Sequence, residues 1–109
     1  MKVAVIGSTG YVGGRLVPEL LAAGHEVRCV ARTPERLAGV TWRSKVEVVA
    51  ADVLDPDSLD AALSGIESVY YLVHAMGHAG DFERTDRIGA ENTRTAAEKA
   101  SVSRIVYLG

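Results

Sequence analysis

In 109 residues the sequence has one cysteine, three prolines, one tryptophan and one phenylalanine. The single thiol, Cys29, excludes an internal disulfide and any metal cage built from several cysteines, and it fits a reducing compartment. Neither sign of charge dominates: 12 basic residues stand against 14 acidic ones, for a net charge of −2. Such a balance leaves no electrostatic footprint for nucleic acid or for an anionic membrane. Long hydrophobic runs are also missing. The opening apolar stretch, residues 3–6, ends at Gly7 and is too short for a signal-peptide core or a membrane span. The cytoplasm is therefore the expected location.

What remains is ordinary globular material. Hydrophobic residues make up 48% and charged residues 24%, and the length suits one domain. No repeats, low-complexity tracts or internal linkers break the chain.

Strand-like and helix-like patterns alternate. Residues 3–6 form a continuous apolar run, as expected of a parallel strand buried on both faces. Residues 26–31, 46–50, 68–73 and 104–108 are further β-rich runs. Between them, Val12, Leu16, Leu20 and Ala23 recur at helical spacing, and Gly24 supplies a left-handed stop. Asp55 followed by Pro56 predicts a capped helix that Gly65 closes. The longest helix is predicted over residues 82–100, with Ile88, Asn92, Ala96 and Ala100 along its buried face. A short helical turn is expected over 33–37, and a loop over 41–45. Pro18 falls inside the first helix, where a proline costs ~3 kcal/mol and is expected to kink the solvent face. Alternation of this kind means βαβ units. Right-handed crossovers then predict an α/β doubly wound parallel sheet, Rossmann-like, with five strands in the order 3-2-1-4-5.

The first strand runs straight into GSTGYVGG, residues 7–14, with glycines at 7, 10 and 13. Gly7 permits a sharp turn out of the strand. Gly10 lacks a side chain where backbone must approach a pyrophosphate, and Gly13 lets the helix pack against the strand. The helix that follows aims its unpaired N–H groups and positive dipole end at the phosphates. Ser8 and Thr9 can add hydroxyl donors. Tyr11 and Val12 contribute backbone at the helix start, and their side chains are expected to pack it onto the sheet. The context of strand, glycine loop and amphipathic helix is what the motif requires.

This loop resembles the G-x-x-G-x-x-G of the short-chain dehydrogenase/reductase superfamily, in particular its extended and atypical members. Ala51-Asp52-Val53 looks like that family's acidic adenine-contacting segment, which implies Asp52 for the adenine amino group and the Val53 backbone for the ring edge. Tyr70 to Met76 looks like the fourth strand and its nicotinamide-side loop, so that Val73, His74 and Ala75 would line the cofactor. Asp81-Phe82-Glu83, Asp86-Arg87 and Asn92, followed by the run from Arg104 to Gly109, resemble the NAD(P)H-binding, NmrA-like subset of oxidoreductases. The resemblance further implies that Asn92 ties its helix to the fourth strand.

The choice of nicotinamide cofactor turns on the end of the second strand. An acid about 20 residues beyond the glycines ordinarily holds the ribose 2′-hydroxyl of NAD. The corresponding position here is Arg32, which offers bidentate hydrogen bonds to the 2′-phosphate of NADP. NADP is therefore expected over NAD, with Arg36 as a helper; the plainer alternative is a solvated surface arginine at 32. Asp52 also has a second reading, as a cap for the helix starting near Asp55. His74 has a pKa range suited to proton transfer, but a histidine ending a buried strand also satisfies neighbouring backbone. No catalytic residue is assigned, and a metal site at His74 and His78 lacks further ligands. Tyr70 and Tyr71 are expected to pack on opposite faces of the sheet, and Cys29 to be an inert core thiol.

The Tyr-x-x-x-Lys pair of short-chain dehydrogenases is missing, because the positions four before Lys45 and Lys99 are Thr41 and Thr95. With Gly109 directly after the fifth strand, the 109 residues are expected to be the N-terminal cofactor-binding portion of a longer chain. Two roles then stay open: the cofactor half of an NAD(P)-dependent oxidoreductase acting on a small-molecule substrate, or a non-catalytic NmrA-like module sensing NADPH against NADP through a protein partner. The uncovered edge of the fifth strand also leaves a homodimer open.

Overall fold

The structure, a computed structural model, describes residues 1–8, 10–72 and 79–107, without the side chains of 79–83. Five parallel strands, β1 (Lys2–Ile6), β2 (Glu26–Ala31), β3 (Glu47–Ala50), β4 (Ser68–Tyr71) and β5 (Arg104–Tyr107), lie in the order β3-β2-β1-β4-β5. This is the doubly wound order expected from right-handed crossovers. Three helices connect them: α1 (Tyr11–Ala22), α2 (Pro56–Ala62) and α3 (Ala79–Lys99).

The period-2 alternation of β1 divides the core. Ala4 and Ile6 point to the face covered by Leu59 and Ala62 of α2, Leu63 just after it, and Ala96 and Ala97 of α3. Val3 and Val5 point to the other, covered by Val17 and Leu20 of α1 with Leu37 and Trp42. Tyr71 joins the first cluster and Tyr70 packs on the second, so the two tyrosines face opposite ways as expected. Cys29 is fully buried, and its thiol is pushed up by burial, moderated by the Ser8 hydroxyl and the Arg43 charge.

α1 runs through Pro18 to Ala22, as expected, whereas several other local expectations need correction. Pro18 and the Gly14 carbonyl it deprives, four residues back, lie on exposed positions of the helix, where water replaces the lost bond. The segment expected as loop contains a 3-10 turn, Arg43–Lys45, next to buried Trp42. Asp55 is the N-cap residue of α2 but makes no side-chain cap; its carbonyl instead accepts from the Ser58 amide at 3.1 Å and the Ser58 hydroxyl at 2.8 Å. The buried stripe of α3 passes through Gly89, Thr93, Ala96 and Ala97, and Ile88 is 40% exposed. A stripe drawn through Ile88 is rotated by about one residue, because the helix is anchored by small residues rather than by its one large aliphatic.

Arg28 is the main feature that sequence reading passed over. It is buried in the middle of β2, donating from Nε to Glu47 Oε1 at 2.7 Å and from Nη1 to the carbonyls of Ala62 and Ser64, both at 2.8 Å. One guanidinium thus joins β2, β3 and the C-terminal end of α2. There, cations are favoured by the carbonyls that a helix end leaves unpaired.

Candidate functional site

All five strands point the same way, so the segments leaving β1, β2, β3 and β4 gather at one edge of the sheet. Between β1 and β4 the strand order reverses, and crevices for ligands form at such a point.

The loop after β1 is shaped by two glycines for two different reasons. Gly7 has φ +91°, a left-handed conformation that side chains disfavour, and its amide donates to the Val30 carbonyl at 3.3 Å. Gly13 is sealed against the loop it follows: a Cβ there would meet Ser8 Cα at 2.6 Å and the Ser8 carbonyl atoms at 2.8 Å. The helix therefore packs on the loop backbone itself, where the sequence suggested the strand.

Gly10 has neither reason. Its φ of −86° and ψ of 179° suit any residue, and a Cβ would find nothing closer than Gly7 O at 3.8 Å. It caps α1 without a side chain, and the first turn holds no acid. The amides of Tyr11, Val12 and Gly13 have no hydrogen-bond partner among the described residues. A glycine that packing among the described residues does not demand, beside three N–H groups unpaired among those residues, leaves room for an anion to come close.

Side chains around the loop depart from expectation. Ser8 is 1% exposed and its hydroxyl lies beside Cys29, without a well-formed hydrogen bond among the described residues. It faces the core, so its hydroxyl is no phosphate donor in this conformation. Tyr11 is 77% exposed and Val12 52%; neither packs on the sheet. Tyr11 instead accepts a 2.7 Å hydrogen bond from Arg15 Nη1, one turn later, with the guanidinium 5.5 Å from its ring centre. Thr9, Val73, His74 and Ala75 lie outside the described residues.

Arg32 is the first residue past β2 and is exposed, as is Arg36. Neither has a carboxylate partner among the described residues. After β3, the loop carrying Asp52 and Val53 is held as a tight turn. Asp52 Oδ1 accepts from the Leu54 amide at 2.9 Å, and Ser58 Oγ bridges the Asp52 amide and carbonyl at 3.0 and 3.1 Å. The Asp52 side chain therefore shapes its own turn and does not cap α2. Its second carboxylate oxygen has no partner among the described residues, nor has the Val53 amide. Asn92 Nδ2 donates to the Val53 carbonyl at 2.9 Å. Among the described residues the asparagine thus ties α3 to the β3–α2 loop, where a tie to the fourth strand was expected.

These features, as the described residues show them, fit a dinucleotide: amides without a partner among those residues at a helix start for the diphosphate, a guanidinium without a carboxylate partner among them past β2, and an acceptor with an adjacent donor past β3. Residues 7–109 match the family described as NAD(P)H-binding. The chain belongs to that family. It is 33% identical over 116 residues to a 3 beta-hydroxysteroid dehydrogenase/Delta 5-->4-isomerase of Mycobacterium tuberculosis, an alignment covering 97% of this chain and 30% of the other. Among solved structures, it resembles the Citrobacter triphenylmethane reductase complexed with NADP(H), with a TM-score of 0.81 and 27% identity over 100% of this chain and 37% of that one. It also resembles a short-chain dehydrogenase/reductase superfamily protein of Agrobacterium tumefaciens with bound NAD, with a TM-score of 0.78 and 28% identity over 98% of this chain and 32% of that one. The chain spans about a third of the length of these relatives. In this NAD(P)H-binding chain the described residues include no helix long and apolar enough to cross a membrane.

Proposed function

We propose that this NAD(P)H-binding chain holds NADP(H) in preference to NAD(H), as the cofactor-binding part of a reductase or dehydrogenase acting on a small molecule. The reading is carried by the start of α1, where glycine-capped amides have no acidic neighbour in the first turn and no hydrogen-bond partner among the described residues. Gly7, Gly10 and the amides of Tyr11, Val12 and Gly13 would hold the diphosphate. Arg32 would hold the 2′-phosphate, since a guanidinium attracts a dianion that an acid at this position would repel. Asp52 and the Val53 amide would read the adenine edge. When bound, the nicotinamide supplies a hydride donor or acceptor, and the chain contributes its orientation. Relatives carry NADP(H) in one case and NAD in another, so the preference rests on Arg32 of this chain alone. The one buried thiol suits a reducing compartment, and the cytoplasm is the proposed location.

Titration with NADPH and with NADH, followed by nicotinamide fluorescence, tests the reading. NADPH is expected to bind about tenfold more tightly, the worth of one charge-assisted pair. Equal affinities would remove the preference, and no binding of either would remove the site. Tight binding by the protein without hydride transfer to any acceptor would favour a sensing role instead.

A further inference from the structure

We propose that Asn92 and Gly89 of α3 are positioning residues for adenine recognition: they set the Val53 peptide without themselves touching the dinucleotide. The inference rests on the adenine reading of Asp52 and Val53 given above.

Among the described residues, every position of the β3–α2 loop but Val53 is tied to β2 or within the loop and the start of α2. The Ala51 amide donates to Ala31 O at 3.1 Å, continuing the ladder beside β2. Asp52 is bridged through Ser58 Oγ, Leu54 is held by Asp52 Oδ1, and the Asp55 amide donates to Asp52 O at 2.9 Å. Val53 has none of these bonds. Both of its anchors come from α3, more than thirty residues later in the chain. Asn92 Nδ2 takes its carbonyl at 2.9 Å. Its side chain sits in a notch that exists because residue 89 is glycine, where a Cβ would meet Val53 Cγ2 and Tyr71 Oη, each at 2.8 Å.

A carbonyl and a side chain fixed together define the orientation of a residue. The Val53 amide, without a partner among the described residues, lies in the peptide plane of the Asp52 carbonyl that Asp55 and Ser58 hold, while Asn92 fixes the next plane, whose Leu54 amide holds the Asp52 carboxylate. An adenine edge presents an amino donor beside a ring-nitrogen acceptor, so it needs an acceptor and a donor side by side at fixed spacing. The Val53 carbonyl shares one peptide plane with the Leu54 amide that holds Asp52 Oδ1, so losing the Asn92 bond loosens the plane that carries the acceptor beside the Val53 amide. The cost then appears only for ligands that carry adenine.

That selectivity separates positioning from plain stability. Three ligands serve as probes: NADPH, 2′,5′-ADP, and reduced nicotinamide mononucleotide, which lacks the adenosine half. Asn92→Leu is expected to weaken NADPH and 2′,5′-ADP together by about fivefold or more, the worth of one hydrogen bond. The same variant should leave reduced nicotinamide mononucleotide unchanged. Equal weakening of all three probes, or none, overturns the inference. In the unaltered protein, the Asn92 side-chain amide resonance should shift with 2′,5′-ADP and stay still with the mononucleotide; a resonance indifferent to both overturns it as well, even if the variant fails to fold. Asp52→Ala separates the two levels. If it weakens 2′,5′-ADP while Asn92→Leu does not, positioning alone fails. If neither variant affects 2′,5′-ADP, the adenine reading fails and takes the positioning with it.

Discussion

A Cβ placed on Gly13 would stand 2.6 Å from Cα of Ser8, a separation that side-chain and backbone atoms do not reach. The first turn of α1 and the loop it follows are therefore in backbone contact, and the two move as one piece. At Gly10, three residues earlier on the same loop, a Cβ would meet among the described residues only Gly7 O at 3.8 Å, an ordinary contact.

The same substitution at these two glycines should give opposite results. Gly13→Ala must push helix and loop apart, with an expected loss of about 2 kcal/mol or more in denaturant unfolding. Gly10→Ala should change stability by no more than about 1 kcal/mol, since its backbone angles suit alanine. Its effect should instead fall on NADPH affinity, lowered about tenfold or more as the methyl group takes the space of the diphosphate. A Gly10→Ala protein with undiminished affinity would contradict the placement of the phosphates.

Replacing Arg32 should act on selectivity rather than on folding, because the residue is exposed and unpaired among the described residues. Arg32→Asp is expected to reverse the order of NADPH and NADH in the fluorescence titration, by turning attraction for the 2′-phosphate into repulsion. Thermal unfolding without ligand should be unaffected.

Tyr71 offers a test of the core. Its hydroxyl is buried and without a hydrogen-bond partner among the described residues, while its ring lies 5.6 Å from that of Tyr107. Burial, with the charges of Asp86 and Tyr107, pushes the phenol up to about 12. Tyr71→Phe keeps the ring contact and removes the orphaned group, so stability should hold or rise by up to about 1 kcal/mol. A clear loss in the unfolding curve would mean that the hydroxyl has a partner in solution.

Glu47 and Arg28 predict a pH dependence. The hydrogen bond from Arg28 holds the Glu47 carboxyl below its ordinary value of 4.5. A lowered folded-state pKa stabilises the fold fully above that value, and the contribution fades as pH falls through the lowered one. Glu47 has a side chain 52% exposed, so the gap between the native protein and Glu47→Gln should be at most about 1 kcal/mol at pH 7. The gap should close on titration from pH 5 towards pH 3. Arg28→Met should cost several times more at neutral pH, because it strands two carbonyls that close α2.

Sheet order and glycine loop were readable in advance because each rests on local chemistry: buried parallel strands are unbroken apolar runs, and Gly7 needs its φ of +91° whatever surrounds it. Contacts set by tertiary packing were not. Nothing near Ser8 in the sequence says that its hydroxyl turns towards Cys29. Arg28 looks like one polar residue in an apolar strand until Glu47, Ala62 and Ser64 converge on it. Asn92 announced a buried amide, but its acceptor lies 39 residues away, and the rotation of α3 follows from Gly89 and Thr93, residues too small to stand out in a hydrophobic pattern.

The Arg28 bracket has a practical corollary. Its bonds fasten the early part of β3 and the far end of α2, away from the loops that leave the strands' other ends. Retuning the chain for another nucleotide can then be attempted at Arg32 or Asp52 without loosening that scaffold, whereas a library that randomises β2 would strike the brace before it reached the pocket.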